Sequence, residues 1–230
     1  METSLHRQLK ALYAGPEDRQ EVKLGAYRID VVRGSQLVEI QHGSLSAIRD
    51  KVQRLCAKHD VLVVKPIVAR KTLVRLSADG VEESRRASPK RGKLLDVFDD
   101  LVYFTRAFPH PRLTLELRLV EIEEHRQKGH GRRRRWREND QVTLDQKLVT
   151  ASEPRQLRVA ADLLAMLPDN LPASFHTGDL ATLAEIPRHV AQRIAYCLRN
   201  MGAIETIGKT GNAHQYRVKR SRRPRRRKAA

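Results

Sequence analysis

The sequence predicts an α/β fold in its first half and a small helical domain that ends in a β-hairpin in its second half. Helical apolar stripes alternate with short β-branched runs over residues 2–68. Within this region, the unbroken apolar run at 61–64 is typical of a buried parallel strand. Three helical patterns and then a hairpin pattern follow between residues 152 and 218. These three observations together predict the fold class.

The first six elements are predicted in the order helix, three strands, helix, strand. The apolar stripe of the first helix, which Gly15-Pro16 ends, consists of Leu5, Leu9, Leu12 and Tyr13. Gly34-Ser35 is predicted to turn the second strand into the third, and Ser44 to cap the second helix. The predicted ranges are 2–14, 20–24, 28–32, 36–41, 44–58 and 61–68.

The middle of the chain is predicted to be less regular. A polar loop at 77–93 precedes a helix at 94–108. Leucine alternates with charged residues at 113–122, which predicts a half-buried strand, and 142–149 is the predicted partner strand.

A strongly basic block lies between these two strands, at residues 125–137. It contains Arg132, Arg133, Arg134 and Arg135 beside Trp136. So dense a charge cannot bury a core, which predicts a mobile arm. The arm either grips phosphates, with Trp136 stacked on a base, or is a solvated loop that binds nothing.

The second half is predicted to contain three helices, a hairpin and a disordered basic tail. Pro154 starts the first helix, Thr177 opens the second, and Pro187 begins the third. The predicted ranges are 152–167, 177–186 and 187–201 for the helices, 204–207 and 215–218 for the strands, and 219–230 for the tail. The predicted domains are 1–108, a connector at 109–151, and 152–218, followed by that tail.

The charge of the chain predicts a polyanionic partner. The formal net charge is +18 and the pI is about 10.5, and each phosphate that such a protein neutralises releases condensed counterions. The two cysteines, Cys56 and Cys197, lie in helical apolar patterns and suggest neither a disulfide scaffold nor a cysteine zinc site. No apolar run approaches 18 residues and no signal peptide is recognisable, so the sequence predicts a cytoplasmic protein that binds no membrane.

Two carboxylates interrupt the apolar strands of the first half. Asp30 lies in the second predicted strand, and Glu39 lies in the third, with Gln41 on the same strand face as Glu39. Carboxylates seldom lie inside apolar strands unless something binds them. Hard oxygen ligands held close together on rigid strands suit a divalent cation. The alternatives are an Asp30 that caps the hairpin turn and a Glu39 that is a surface charge.

This arrangement resembles the PD-(D/E)XK nuclease superfamily, whose restriction-endonuclease-like core has the order αβββαβ. The Glu39-Ile40-Gln41 triplet, with Ser44 close behind, resembles the CoiA-like branch, in which Gln replaces the usual Lys. The resemblance covers about residues 1–75. It implies that Asp30, Glu39 and the Ile40 carbonyl ligate Mg²⁺ or Mn²⁺, that Gln41 orients the attacking water, and that Glu2 makes an outer contact.

Gln41 is the departure that matters most for catalysis, because an amide cannot supply the positive charge of a lysine. Lys51, in the following helix, or Lys65, after the last strand, is the candidate substitute. Glu21 rivals Glu2 as a third acidic residue, and His6 lies one helical turn beyond Glu2 and could approach the site.

Residues 153–218 resemble a winged helix-turn-helix domain. This resemblance implies that the helix beginning at Pro187 is a recognition helix for duplex DNA, although winged helices also serve as protein-protein modules. Arginine and glutamine side chains can bind guanine and adenine edges, and the other residues can bind phosphates. The implied contacts are Arg188, Gln192, Arg193, Tyr196 and Arg199 on the helix, His189 at its rim, and Lys209 and Arg217 on the hairpin.

Together these features predict a metal-dependent DNA nuclease with a winged-helix DNA-binding domain. Cutting both strands with one site per chain would call for two copies, so a homodimer is possible. Two alternatives remain open at this point: a non-catalytic DNA-binding or regulatory protein whose nuclease-like half is a scaffold, and an RNA-binding protein.

Overall fold

The computed structural model of the protein describes residues 3–129 and 140–219. The chain divides into two compact units, a first unit of residues 1–158 and a second unit of residues 159–230. The predicted connector at 109–151 is not a separate part, because two long strands of the first unit's sheet lie in it. Glu2 and the run Arg132–Arg135 lie outside the described residues.

The first unit combines helices with one large sheet. Its helices are α1 (Ser4–Tyr13), α2 (Arg49–Cys56) and α3 (Val97–Leu101), with 3-10 turns at Leu45–Ile48 and Leu94–Asp96 leading into α2 and α3. Its strands are β1 (Arg19–Leu24), β2 (Tyr27–Arg33), β3 (Gln36–Ile40), β4 (Asp60–Leu76), β5 (Glu82–Ala87), β6 (Leu113–Lys128), β7 (Gln141–Ala151) and β8 (Arg155–Leu157). The predicted order of helix, three strands, helix and strand is confirmed.

The strand order is β1-β2-β3-β4-β6-β7, with β5 pairing with β4 and β8 pairing with β6. The centre of the sheet is parallel, since β4 runs parallel to both β3 and β6. A parallel connection needs a crossover, and α2 supplies it between β3 and β4. The pairs β1-β2, β2-β3 and β6-β7 are antiparallel.

Helix α1 covers one face of the sheet. Leu5, Leu9 and Tyr13 form a buried cluster with residues of the strands, among them Val38 and Ile40. The sequence predicts these three stripe positions correctly, whereas Leu12, predicted on the same stripe, is 54% exposed. Successive residues of a strand face opposite sides, so Glu39 of β3 faces away from this cluster and toward α2. The two faces of the sheet therefore separate the apolar cluster from the carboxylate of Glu39.

Strand β4 is much longer than predicted and runs through Pro66. Strand β3 ends at Ile40, which pairs with Val64, and the Val64 carbonyl accepts a hydrogen bond from the Gln41 N–H at 2.9 Å. The backbone of Pro66, two residues after Val64, is directed to the same side as that of Val64, but β3 has already ended there. Its missing N–H is therefore not needed for a ladder bond. The extension of β4 then pairs with β5, which lies in the predicted loop.

Three predictions about the rest of the first unit are wrong. β6 continues to Lys128, so His125–Lys128 lies in a strand and not in an arm. The predicted helix from Ser152 begins instead as β8, because this segment follows β7 along the same edge of β6 and pairs with it. The predicted helix at 94–108 shortens to α3 with turns on either side.

The second unit contains three helices and a three-stranded sheet in its described part. Its elements are α4 (Ala160–Leu164), β9 (Ser174–Phe175), α5 (Thr177–Leu183), α6 (Arg188–Asn200), β10 (Ile204–Thr210) and β11 (Ala213–Val218). The predicted hairpin is confirmed, with Gly211 at positive φ in its turn. Strand β9, which was not predicted, pairs with β11. No helix of the described residues is long and apolar enough to cross a membrane.

Candidate active site

Three carboxylates lie on three neighbouring strands of the first unit. Val31 of β2 pairs with Val38 of β3, so Asp30 and Glu39 lie side by side one residue beyond that pair. On the other side, the pairs Gln20–Val31 and Val22–Ile29 bracket Glu21 and set it beside Asp30. The hairpin geometry that the sequence predicts for Asp30 and Glu39 is therefore present, and β1 adds a third acidic residue.

Asp30 is held from two directions. Its Oδ2 accepts a hydrogen bond from the Ile40 N–H at 2.7 Å, and its Oδ1 lies 3.1 Å from His6 Nε2. Burial raises the pKa of Asp30, but the hydrogen bonds from His6 and Ile40 and the charges of His6 and Lys51 outweigh burial, so its pKa lies below the ordinary value. Asp30 is therefore an ionised carboxylate, the form that can hold a cation.

Glu39 is only 4% exposed. Its Oε2 accepts a hydrogen bond from Lys51 Nζ at 2.6 Å, whereas its Oε1 is buried and has no hydrogen-bond partner. Burial raises the pKa of Glu39 to about 7, against the opposing effect of Lys51, and the negative charge of Asp30 adds to the rise. A buried acceptor without a partner is unfavourable for stability and is typical of a functional site.

Glu39→Gln is expected to stabilise the protein at pH 8 and to change little near pH 4. The folded-state pKa of Glu39 exceeds its unfolded value of 4.5, so the folded state keeps a proton that the unfolded state loses. Stability therefore falls as the pH rises from about 4.5 to 7, and the amide removes this loss. We expect a gain of about 1–3 kcal/mol at pH 8. Denaturant unfolding across this pH range measures it.

The exposed Glu17→Gln is the matched control for this experiment, and its unfolding free energy should follow that of the wild type at every pH. A Glu39→Gln variant that is less stable than the wild type at pH 8 would contradict the burial argument.

Lys51 reaches the carboxylates and Lys65 does not. Lys51 Nζ bridges Glu39 and the backbone carbonyl of Arg28. Lys65 Nζ instead binds the carbonyls of His42 and Gly43 and lies 2.8 Å from Asp100 Oδ2. Of the two lysines left open by the sequence, Lys51 is therefore the one placed to supply positive charge beside Glu39.

His6, Glu21 and Asp30 form a second grouping around the same aspartate. One ligand atom from each lies within 4.8 Å of the other two. Glu21 also makes ion pairs with Lys10 and Arg28. Its backbone has φ of 56°, an uncommon conformation for a residue with a side chain. Sequence reasoning missed Lys10, which is 3% exposed, because it lies at a polar position of the helical pattern.

The remaining residues of the predicted metal site have other contacts. Gln41 Nε2 donates to the Ser44 carbonyl at 2.8 Å and so fixes the loop before α2. The Ile40 N–H supports Asp30, whereas the resemblance implies a role for the Ile40 carbonyl. Glu2 lies outside the described residues.

The predicted DNA-binding residues of the second unit lie at its surface. Ile194, Cys197 and Leu198 form the buried side of α6. The exposed residues are Arg188, Gln192, Arg193, Tyr196 and Arg199 on α6 and Lys209 on β10. Arg217 is also exposed, but its guanidinium pairs with Glu205 at 2.6 Å, which neutralises part of its charge.

Net charge does not distinguish the described part of the second unit. Residues 159–219 hold six Arg or Lys and five Asp or Glu. Any affinity of this segment for a polyanion therefore depends on where its charges lie, and three of its arginines lie on α6.

Comparison with known proteins gives a family but no activity. The family model described as Domain of unknown function (DUF8091) matches residues 3–158, nearly all of the first unit. An "Uncharacterized protein" of Treponema pallidum (strain Nichols) is 30% identical over 217 residues, which cover 94% of this chain and 85% of that protein. No solved structure matches the chain significantly.

Proposed function

The chain belongs to the DUF8091 family, and since that family has no assigned activity, we propose that its first unit hydrolyses DNA phosphodiester bonds with a divalent cation. One observation carries the proposal: the buried Glu39 has an unpartnered carboxylate oxygen and lies beside the ionised Asp30 and the ammonium group of Lys51. Acidic oxygens and one cationic side chain on rigid elements are what metal-assisted phosphoryl chemistry requires.

The donor set fits a divalent cation. Asp30 and Glu39 offer hard carboxylate oxygens, and an ion beside Glu39 Oε1 would give that atom the partner it lacks. Two acidic ligands leave other positions for water and phosphate oxygens. When bound, the ion supplies Lewis-acid stabilisation of the developing phosphate charge and a water molecule of lowered pKa.

The residues of the chain divide the remaining work. Asp30 and Glu39 would hold the ion, and the Ile40 N–H and His6 keep the Asp30 carboxylate oriented. Lys51 would supply the positive charge that Gln41 lacks, close to where the scissile phosphate gains negative charge. Since a cation favours the ionised form of Glu39, its binding should strengthen as the pH rises through 7.

The second unit would deliver the first to duplex DNA, with α6 as the recognition helix. Exposed arginines and a glutamine along one helix suit base edges and phosphates of the major groove. The basic runs at 132–137 and 220–228 would add salt-sensitive affinity that does not depend on base sequence.

A non-catalytic DNA-binding protein is the second candidate, and the ion pairs of the acidic cluster favour it. Glu39 pairs with Lys51, and Glu21 pairs with Lys10 and Arg28. The cluster is thus largely charge-balanced by the chain itself, as a purely structural network would be.

Cleavage assays distinguish these two functions. The full chain is incubated with duplex and single-stranded oligonucleotides and with RNA, in the presence of Mg²⁺, Mn²⁺ or a chelator. Cleavage of DNA that requires an added ion, and that is absent from an Asp30→Asn preparation, supports the nuclease. Binding of DNA without cleavage under every ion condition supports the scaffold, and tighter binding of RNA at equal salt overturns DNA as the substrate.

Replacing both Arg188 and Arg199 by Ala is expected to weaken duplex binding. The magnitude of the slope of log affinity against log salt should fall by about 2. Arg217→Ala should change the slope by less than about 1, because Glu205 already pairs with that guanidinium. Fluorescence anisotropy at several salt concentrations measures both. An unchanged slope in the double variant would remove α6 from the interface.

A further inference from the structure

The strongest feature beyond this proposal is the grouping of His6, Glu21 and Asp30. The three residues come from α1, β1 and β2, and one ligand atom from each lies within 4.8 Å of the others. A first-row transition ion with bonds of about 2.1 Å holds its ligand atoms about 3–3.5 Å apart. Small side-chain adjustments would close the remaining gap, since Glu21 and Asp30 belong to paired strands.

Glu39 provides a second indication of a ligand beside Asp30, the residue that the two sets of ligands share. Glu39 lies beside Asp30 on β3, on the side of Asp30 away from Glu21. Asp30 therefore lies between Glu21 on β1 and Glu39 on β3. The buried Oε1 of Glu39 has no hydrogen-bond partner. A side chain that is 95% buried rarely leaves a carboxylate oxygen without a partner unless another group binds there.

From this geometry we infer that His6, Glu21 and Asp30 form a cation site selective for a first-row transition ion such as Mn²⁺ over Mg²⁺. An imidazole nitrogen is a ligand that suits Mn²⁺, Fe²⁺ and Zn²⁺, whereas Mg²⁺ strongly prefers oxygen and keeps its water. Asp30 belongs to both this set and the Asp30–Glu39 set, with Oδ1 toward His6 and Oδ2 toward the Ile40 N–H. The inference concerns ion binding and holds whether or not the chain cleaves DNA.

Lys10 and Arg28 balance Glu21 in the absence of an ion. Lys10 is 3% exposed and Arg28 is largely exposed, and both make ion pairs with the Glu21 carboxylate. An entering ion competes with these two cations for the carboxylate. Competition from Lys10 for the Glu21 carboxylate is therefore expected to weaken ion binding. A divalent charge together with a bond to the imidazole is needed to displace Lys10.

The test is a titration of tag-free protein with MnCl2 and with MgCl2, followed by calorimetry and by electron paramagnetic resonance of free Mn²⁺. The wild type should bind Mn²⁺ at least about tenfold more tightly than Mg²⁺. His6→Gln keeps an amide that can hydrogen-bond to Asp30 but removes the imidazole. It should lose most of this preference while its Mg²⁺ affinity changes little. Glu21→Gln should weaken Mn²⁺ binding at least about tenfold.

His214→Ala and Glu17→Gln are the matched controls, since both residues are exposed, and neither should change the affinities. Equal affinities for the two ions in the wild type, or a His6→Gln variant with an unchanged preference, would overturn the site. Binding of Mn²⁺ that depends on His6 without any cleavage would leave the ion site standing and remove the nuclease. Ion-dependent cleavage with normal ion binding in His6→Gln would do the reverse.

Discussion

Asp30→Asn is expected to lower the rate of DNA cleavage by at least about 10³-fold, since losing about 4 kcal/mol of transition-state stabilisation has that effect. The amide still accepts a hydrogen bond from the Ile40 N–H, so the strand pair should stay intact. It cannot supply the negative charge that holds a cation. Single-turnover cleavage of a labelled duplex measures the rate, and anisotropy measures binding, which should stay within a few-fold of the wild type.

Asp50→Asn is the matched control, because Asp50 lies exposed in the first turn of α2 and forms an ion pair with its neighbour Arg49. Its cleavage rate should equal that of the wild type. An Asp30→Asn variant that still cleaves at the wild-type rate would show that the activity does not belong to this cluster.

Lys51→Met is expected to lower the cleavage rate by about 10²–10³-fold, in the range seen when one charge-stabilising donor is removed. Methionine keeps the length of the side chain but not its charge. Because Lys51 lowers the pKa of Glu39, the variant should also need a higher pH for cation binding. The acidic limb of the pH-rate profile should therefore move upward, an effect that a purely structural role of Lys51 would not produce.

Lys58→Met, an exposed substitution just after α2, serves as the control for the loss of one positive charge. If both lysine variants reduce cleavage equally, the effect is general electrostatics and Lys51 has no special role. If Lys51→Met cleaves normally, the missing positive charge must come from elsewhere.

The strands that carry Asp30 and Glu39 could be predicted because their signal is local. The Gly34-Ser35 turn sets the hairpin, and β-branched residues on either side favour strands. The partner of Glu39 was predictable only as a choice between two lysines, since nothing in the sequence distinguishes their directions. Burial of Lys10 was not predictable, because it depends on Glu21 reaching α1 from β1.

Other elements depended on contacts between residues distant in sequence. The alternation of leucine and charged residues in β6 predicts that one face of the strand is exposed to solvent. Glu116 is nevertheless only 3% exposed, because Tyr13 and Gln156 donate hydrogen bonds to it. The helical pattern after Ser152 gives way to β8 because the free edge of β6 offers strand pairing. In both cases tertiary contacts override the local pattern.

The long extension of β4 determines the distance between the acidic cluster and the far end of that strand. Val63 pairs with Glu39, and β4 continues from there to Leu76, thirteen residues further along. At a rise of about 3.3 Å per residue this is roughly 43 Å, or about twelve base-pair steps of a B-form double helix. A duplex aligned with these strands would meet the carboxylates and the far strand tips more than ten steps apart. If the proposed nuclease binds a duplex along these strands, an oligonucleotide shorter than this distance would reach only one of their ends, and cleavage is expected to need a minimum duplex length.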